Sequence, residues 1–187
     1  MIDAKEIAKL LRKSRQLIIE KLKDGSYNIT DTYIMVNLNG SQFGDFFAKY
    51  NSYKSTADIP FEFEGSISST DSKSFEDIKL NTETVTSQIG NAKYETVITD
   101  FYKKNDSGDE VRIFKAGDQL GIFNREYEFL LDYGVKYKAK DKKNPLFILD
   151  SKDNTKAVIM PILDKGERKI EELLKELTQS KVKVKTA

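Results

Sequence analysis

The sequence contains neither cysteine nor histidine among its 187 residues. Without cysteine, the chain forms no disulfide and has neither a thiol nucleophile nor a cysteine-ligated zinc site. Without histidine, it lacks the only side chain whose unperturbed pKa lies near neutral pH, which excludes triads with a histidine base and histidine-ligated metal sites. We therefore predict that the chain is not an enzyme. An enzyme that relies on carboxylates, lysine or tyrosine is the alternative left open.

Long apolar runs are also missing. None approaches the roughly 18 residues of a membrane span, and the first residues, MIDAKEIAKLL, lack the apolar core of a signal peptide. These absences predict a cytoplasmic protein. Hydrophobic residues make up 39% of the chain and charged residues 33%, which is typical of soluble globular domains.

The order of apolar and polar segments predicts an α+β fold with a mostly antiparallel sheet, two or three packed helices and an added C-terminal helix. Three parts follow along the chain: residues 1–65, with a helix, a hairpin and a second helix; residues 75–163, with antiparallel strands; and residues 164–187, with an amphipathic helix and a basic tail.

In the first part, we predict a long helix from Asp3 to Lys23, capped by Asp3, and a second helix from Ser41 to Tyr50 with an aromatic stripe. Phe61 and Phe63 alternate with glutamates, which predicts a short strand. The serine-rich segment from Ser66 to Ser74 is predicted to be a loop, and any domain boundary is expected there.

Residues 117–162 hold the most regular series of predicted elements. An apolar strand, Leu120–Phe123, leads into Asn124, which caps a helix from Arg125 to Tyr133 that Gly134 closes. In the next strand, residues 135–139, Val135, Tyr137 and Ala139 are expected to face inward while the intervening lysines face solvent. Two further apolar runs follow, at residues 145–149 and 157–163.

This segment resembles the last domain of the bacterial DNA polymerase sliding clamp. The resemblance lies in Phe123-Asn124 followed by Tyr127 and Leu130, in Pro145-Leu146, and in the closing Val158-Ile159-Met160-Pro161-Ile162. It implies a clamp-like C-terminal half and a pocket beside the Met-Pro segment that takes peptides from polymerases and other partners. The residues that it implies for partner binding are Tyr127, Leu146, Val158, Met160 and Pro161. Sliding clamps end soon after the Met-Pro segment, whereas this chain continues with a predicted helix that could fold over the same pocket. Peptide capture is therefore an expectation to be tested.

Clusters of positive charge predict contact with duplex DNA. Residues 1–25 carry seven Lys or Arg against four Asp or Glu, and residues 136–143 carry five lysines. Such groups can neutralise phosphates and release counterions. We assign DNA binding to Arg12, Lys13, Lys136, Lys138 and Lys140. The alternative for the last three is that lysines protect an edge strand from pairing with other chains.

The leading functional hypothesis is a non-catalytic, clamp-like protein of DNA metabolism that needs no cofactor, contacts duplex DNA and binds a polymerase-type or nuclease-type protein. A ring around DNA would require a homo-oligomer, and the compact, lysine-rich style suggests a phage-encoded protein.

The alternative is a phage-type inhibitor that presents the acidic residues 56–110, twelve acidic against five basic, to a host nucleic-acid enzyme. No metal site is predicted: Asp106, Asp109 and Glu110, like Asp150 and Asp153, fall in turns, where carboxylates commonly cap the backbone.

Overall fold

The computed structural model describes residues 2–53, 56–71, 73–79 and 88–163. The predicted C-terminal helix and basic tail, residues 164–187, lie outside the described residues. Within the described ranges the fold is α+β, as predicted. Its helices are α1 (Ala4–Leu11), α2 (Gly40–Asn51), a short 3₁₀ helix (Gln88–Asn91) and a longer 3₁₀ helix (Arg125–Tyr133). None of them has the length and apolar character that a membrane crossing requires.

Eleven strands in the described residues form one sheet. They are β1 (Gln16–Lys21), β2 (Tyr27–Thr30), β3 (Ile34–Leu38), β4 (Ser66–Thr70), β5 (Glu76–Ile78), β6 (Tyr94–Lys104), β7 (Glu110–Ala116), β8 (Gln119–Asn124), β9 (Lys136–Ala139), β10 (Leu146–Leu149) and β11 (Thr155–Ile159). Their order in the sheet is β5-β4-β1-β2-β3-β11-β10-β9-β6-β7-β8.

Every strand pair in this sheet is antiparallel, and one pair joins the two predicted parts of the chain. β3 pairs with β11, where Val36 lies opposite Ala157 and Ile34 lies opposite Ile159. Residues 1–65 and 75–163 therefore share a sheet, and the main core also draws on both. This junction brings the β2–β3 turn next to the chain that follows β11.

The main core lies between one face of the sheet and α1, α2 and the longer 3₁₀ helix. Ile7, Leu11, Phe46 and Leu130 from these helices are fully buried in it. Alternate residues of β3 and β11 face the same core, as the two-residue repeat of a strand requires. The opposite face of the sheet carries two smaller clusters, one around Met35, Phe147 and Val158 and one around Val111, Ile113 and Ile122.

The prediction of one long first helix was wrong beyond its start. Asp3 caps the helix as expected, accepting hydrogen bonds from the backbone N–H groups of Lys5 and Glu6, but the helix ends at Leu11. Residues 16–21 form β1, between β2 and β4. The three consecutive apolar residues 17–19 are equally compatible with the apolar side of a helix and with a strand that is buried on both faces. Pairing with β2 and β4 favours the strand.

The serine-rich segment was also wrongly predicted as a loop. Its first five residues are β4, which pairs along its whole length with β1. Ile67 is 2% exposed, and the Ser69 hydroxyl donates to the backbone oxygen of Lys73 at 2.5 Å. Small polar side chains are therefore satisfied within the fold there. The predicted strand at Phe61 and Phe63 is absent: these residues are outside regular structure, and Phe61 is 87% exposed.

Most other predicted elements are confirmed. The second helix carries its aromatic stripe into the core, with Phe46 and Tyr50 buried. Residues 125–133 form the predicted helix capped by Asn124, but as a 3₁₀ helix. Gly134 follows it because a Cβ there would lie 2.5 Å from Ile148 Cγ2 and 2.7 Å from the Leu149 oxygen. In the next strand, Tyr137 and Ala139 face the core as predicted, whereas Val135 precedes the strand and is exposed, contrary to the prediction.

Candidate partner-binding groove

Two neighbouring cavities at one end of the sheet share Tyr33 and Tyr127. The first, which we call the apolar cleft, has a volume of about 400 Å³ and is lined by Tyr33, Asn124, Tyr127, Met160, Pro161, Ile162 and Leu163. The second, the polar cavity, has about 530 Å³ and lies between the end of α1, the β2–β3 turn and the start of the longer 3₁₀ helix. Because the two tyrosines line both, we describe the cavities together as the tyrosine groove.

The chain that follows β11 forms one wall of the apolar cleft. Its backbone is held at two points: the N–H of Met160 donates to the oxygen of Tyr33 at 2.8 Å, and the N–H of Ile162 donates to the oxygen of Ile122 at 2.9 Å. These bonds link the start of β3 to β8 across residues 160–162. Met160 and Leu163 are 38% and 68% exposed, so apolar side chains stay accessible along a fixed backbone.

Tyr127 forms the wall between the two cavities. The longer 3₁₀ helix positions it, because Asn124 at the helix start accepts a hydrogen bond from the N–H of Glu126 at 3.1 Å. Burial raises the pKa of the Tyr127 phenol well above its usual range, and the negative charges of Asp31 and Glu126 raise it further. The phenol therefore stays protonated at neutral pH, with an O–H group that can donate.

Tyr33 is presented to the groove by a tightly held turn. The buried Asp31 carboxylate accepts hydrogen bonds from the Ser14 hydroxyl at 2.7 Å, from the N–H of Tyr33 at 3.0 Å and from the N–H of Ile34 at 2.9 Å. Thr32 adopts a φ of 78°, which is rare for a β-branched residue and is sustained by these contacts. Tyr33 itself is 63% exposed. The turn thus holds an aromatic ring at the surface.

Three of the five residues predicted to bind a partner meet in the apolar cleft: Tyr127, Met160 and Pro161. Leu146 and Val158 do not line it, because they are buried on opposite faces of the sheet, in the main core and in the cluster around Phe147. Four residues that line the apolar cleft were not selected from the sequence. Asn124, Ile162 and Leu163 lie close in sequence to selected residues, and the fourth is Tyr33. Tyr33 lies more than 90 positions away in the sequence, and only the β3–β11 pairing brings it to the cleft.

The residues predicted to bind DNA lie on opposite faces of the sheet. Arg12 ends α1 on the helix side, with its guanidinium 4.5 Å from the ring centre of Tyr53, and Lys13 lines the polar cavity. Lys136 and Lys138 alternate with the inward-facing residues of β9, so they point to the other face. Lys140 lies beside Phe147 in a small cavity on that face. These five residues do not form one continuous surface.

The lysines of β9 are partly neutralised where they lie. Their Nζ atoms are 3.1 Å (Lys136) and 3.5 Å (Lys138) from Oδ1 of Asp153. β9 is an internal strand, between β10 and β6, so the alternative role of protecting a sheet edge does not apply to it.

Cations from elsewhere in the fold pair with carboxylates of the acidic segment 56–110. The pairs are Glu64 with Lys21 at 2.7 Å, Asp71 with Arg15 at 3.0 Å, Asp100 with Arg112 at 3.0 Å and Glu110 with Arg125 at 2.5 Å. The negative surplus counted along the sequence is therefore smaller on the folded surface.

Most of the candidate metal-binding carboxylates make hydrogen bonds or ion pairs within the fold. Asp150 accepts hydrogen bonds from the N–H groups of Lys152 and Asn154, both at 2.9 Å, and the Asn154 side chain and these N–H groups hold its pKa well below the usual range. Asp109 accepts from the Asn105 amide in a similar turn. Within the described ranges, no three acidic side chains come together in an arrangement suited to a metal ion.

No family model, curated protein or solved structure matches this chain. The resemblance of residues 117–162 to a sliding clamp stays a prediction.

Proposed function

We propose that this chain is a non-catalytic, clamp-like protein of DNA metabolism that acts in the cytoplasm. It contacts duplex DNA and holds a segment of a replication or DNA-processing protein in the tyrosine groove. The observation that carries the proposal is the meeting of Tyr127, Met160 and Pro161, which the clamp resemblance selects for partner binding, in one accessible cleft. Mixed apolar and polar lining of this kind suits a short peptide segment.

The exposed side of α1 and α2, which we call the helix layer, supports the DNA contact. With the residues that flank α1, it carries five cations against three carboxylates: Lys5, Lys9, Arg12, Lys13 and Lys49 against Asp3, Glu6 and Asp45. Arg12 and Lys49 are half-buried, and Lys9 lies 3.6 Å from Glu6. Arg12 and Lys49, from different helices, gather over the same Tyr53 ring at 4.5 and 5.1 Å. A cationic layer of this kind can neutralise phosphates without reading sequence.

The ion pairs of residues 56–110 favour this proposal over the inhibitor hypothesis. An inhibitor that occupies a basic channel depends on negative charge that is free to face its target. Four of the twelve carboxylates of that segment already face arginine or lysine within the chain, which reduces the free negative charge that it offers.

Affinity capture with matched variants tests the proposal. We expect the intact chain to retain a polymerase-type or nuclease-type protein from a host lysate, and the double variant Tyr33→Ala/Met160→Ala to lose it. Phe61→Ala is the control, because it removes an exposed aromatic ring outside the groove. Retention of the same partner by the double variant, or capture only of proteins unrelated to nucleic acids, would contradict the proposal.

Light scattering at several concentrations defines the form in which the protein acts. A chain with one clamp-like part can encircle DNA only as several copies. A stable trimer or hexamer therefore supports a ring, whereas a monomer excludes topological retention and leaves an adaptor that binds DNA and its partner side by side.

A further inference from the structure

The polar cavity of the tyrosine groove is lined by charged side chains of both signs, but these side chains differ in whether they are free to bind a ligand. Its charged lining residues are Lys13, Arg15, Asp31 and Glu126. Which of these can meet a bound segment depends on the contacts that each already makes within the fold.

Asp31 is committed to the fold, whereas Glu126 is exposed and is held through one of its oxygens. Asp31 is 5% exposed, and its oxygens accept three hydrogen bonds from the chain itself. Glu126 lies beside Tyr127 at the start of the 3₁₀ helix, where its Oε1 accepts from the side-chain amide of Asn124 at 3.0 Å. Asp31 is therefore closed to a bound segment, and Glu126 is held to Asn124, at the 3₁₀ end of the cavity.

At the α1 end, Lys13 and the terminal guanidinium nitrogens of Arg15 are available. Lys13 is exposed and, among the described residues, has no ion-pair partner. Arg15 has an 85% exposed side chain and contacts Asp71 through Nε alone, at 3.0 Å. Thr32 and Thr70 line the same cavity and add hydroxyl groups. This end therefore complements a carboxylate.

We propose that the tyrosine groove selects a partner segment that combines an apolar or aromatic side chain, held in the apolar cleft, with an aspartate or glutamate that meets Lys13 and Arg15 in the polar cavity. The inference rests on the proposed function and adds the chemistry of the partner. A segment that crosses Tyr33 and Tyr127 reaches both cavities because the two rings border both. Because the cavities share these two residues, one short extended segment can place one side chain in each cavity.

Selection of a displayed library of random twelve-residue peptides on the intact chain tests this inference. We expect the enriched peptides to share an apolar or aromatic residue and an acidic residue. Changing that acid to its amide in a synthetic copy should weaken binding about fivefold, as for an exposed ion pair. Selection on Lys13→Glu/Arg15→Glu should lose the acidic preference and keep the apolar one, whereas the control Lys115→Glu, an exposed lysine on β7, should keep both.

The outcomes separate the two proposals. The inference is overturned if the enriched peptides share an apolar residue but no acidic residue, and if Lys13→Gln does not change their binding. The groove then remains a partner site. If no enriched peptide depends on the groove, so that Tyr33→Ala/Met160→Ala binds every selected peptide as well as the intact chain does, both the inference and the proposed function are overturned. This result is expected if another part of this chain or a second copy fills the groove. If Lys13→Gln weakens binding of a duplex oligonucleotide and leaves the selected peptides unchanged, Lys13 serves DNA and the inference fails.

Discussion

Asp31 connects three parts of the chain through one carboxylate. It binds the hydroxyl of Ser14, after α1, and the backbone of Tyr33 and Ile34, at the start of β3. All three donors would lose a partner if the carboxylate were removed, and buried donors without partners cost more than the hydrogen bonds contribute. The residue therefore determines both the stability of this end of the sheet and the position of Tyr33.

We expect Asp31→Ala to lower the free energy of unfolding by about 2–4 kcal/mol. Asp31→Asn should cost about 1 kcal/mol, since an amide oxygen still accepts from the two backbone N–H groups. Urea unfolding followed by circular dichroism measures both. Asp106→Ala, in an exposed turn, is the control and should change stability by less than about 0.5 kcal/mol. A loss for Asp31→Ala no larger than that of the control would contradict this account of the turn.

Among the elements, those with one strong local pattern could be predicted from the sequence. Asn124, the apolar spacing that follows it and Gly134 predicted the bounds of the longer 3₁₀ helix, and aromatic residues at three- and four-residue spacing predicted α2. The same holds for the hairpins of the second part.

The failures occurred where partners distant in sequence decide the structure. Residues 16–21 became a strand because β2 and β4 are available on both sides, and the serines of β4 are stabilised by pairing with that strand. In the groove, the resemblance of residues 117–162 selected Tyr127, Met160 and Pro161, along with Leu146 and Val158, which are buried elsewhere. Tyr33 could not be selected from the sequence, because its position depends on the β3–β11 pair, which no local pattern specifies.

Glycine at position 121 of β8 allows close packing against β7. A Cβ there would lie 2.2 Å from the nearest ring atom of Phe114, which is fully buried. We expect Gly121→Ala to lower the free energy of unfolding by about 1–3 kcal/mol, by overpacking. Gly44→Ala is the matched control: Gly44 lies within α2 with no atom near its Cβ position, so alanine should stabilise the helix by about 0.5–1 kcal/mol. Thermal unfolding curves in which both variants shift in the same direction would contradict this explanation.

At the scale of the whole molecule, pH dependence follows from the groups with shifted pKa values. Aspartates in turns have pKa values below the usual range because they accept hydrogen bonds, mainly from Ser26 (Asp24), Asn144 (Asp141), Asn154 (Asp150) and Lys136 (Asp153). Since the unfolded chain binds these protons at higher pH, their stabilisation is complete above the unfolded pKa of about 4 and is lost as pH falls further.

Burial raises the pKa of Tyr50, Tyr127, Tyr133 and Tyr137, so their stabilisation is lost as pH rises above the unfolded value of about 10. Because the chain has no histidine, we expect urea midpoints to be nearly constant from about pH 5 to 9 and to fall on both sides. Asp150→Asn should reduce the decline in acid. A distinct step in stability near pH 6.5 would show that some other group controls it.

Because the cations lie on both faces of the sheet, the proposal must state which face contacts DNA, and we expect it to be the helix layer. If the helix layer binds duplex DNA through four or five phosphates, log K should fall against log salt with a slope of about −4. Lys5→Gln/Lys9→Gln removes two exposed cations from that layer. It should reduce the slope by about 1 to 2, because Lys5 has no ion pair among the described residues whereas Lys9 lies 3.6 Å from Glu6. Lys136→Gln/Lys138→Gln removes two from the opposite face and should leave it unchanged, because Asp153 already pairs with both. Fluorescence anisotropy of a labelled 20-base-pair duplex measures the slope. The reverse result, with the β9 pair controlling the slope, would assign DNA to the other face and contradict the proposed clamp-like arrangement, in which the helices would face the duplex.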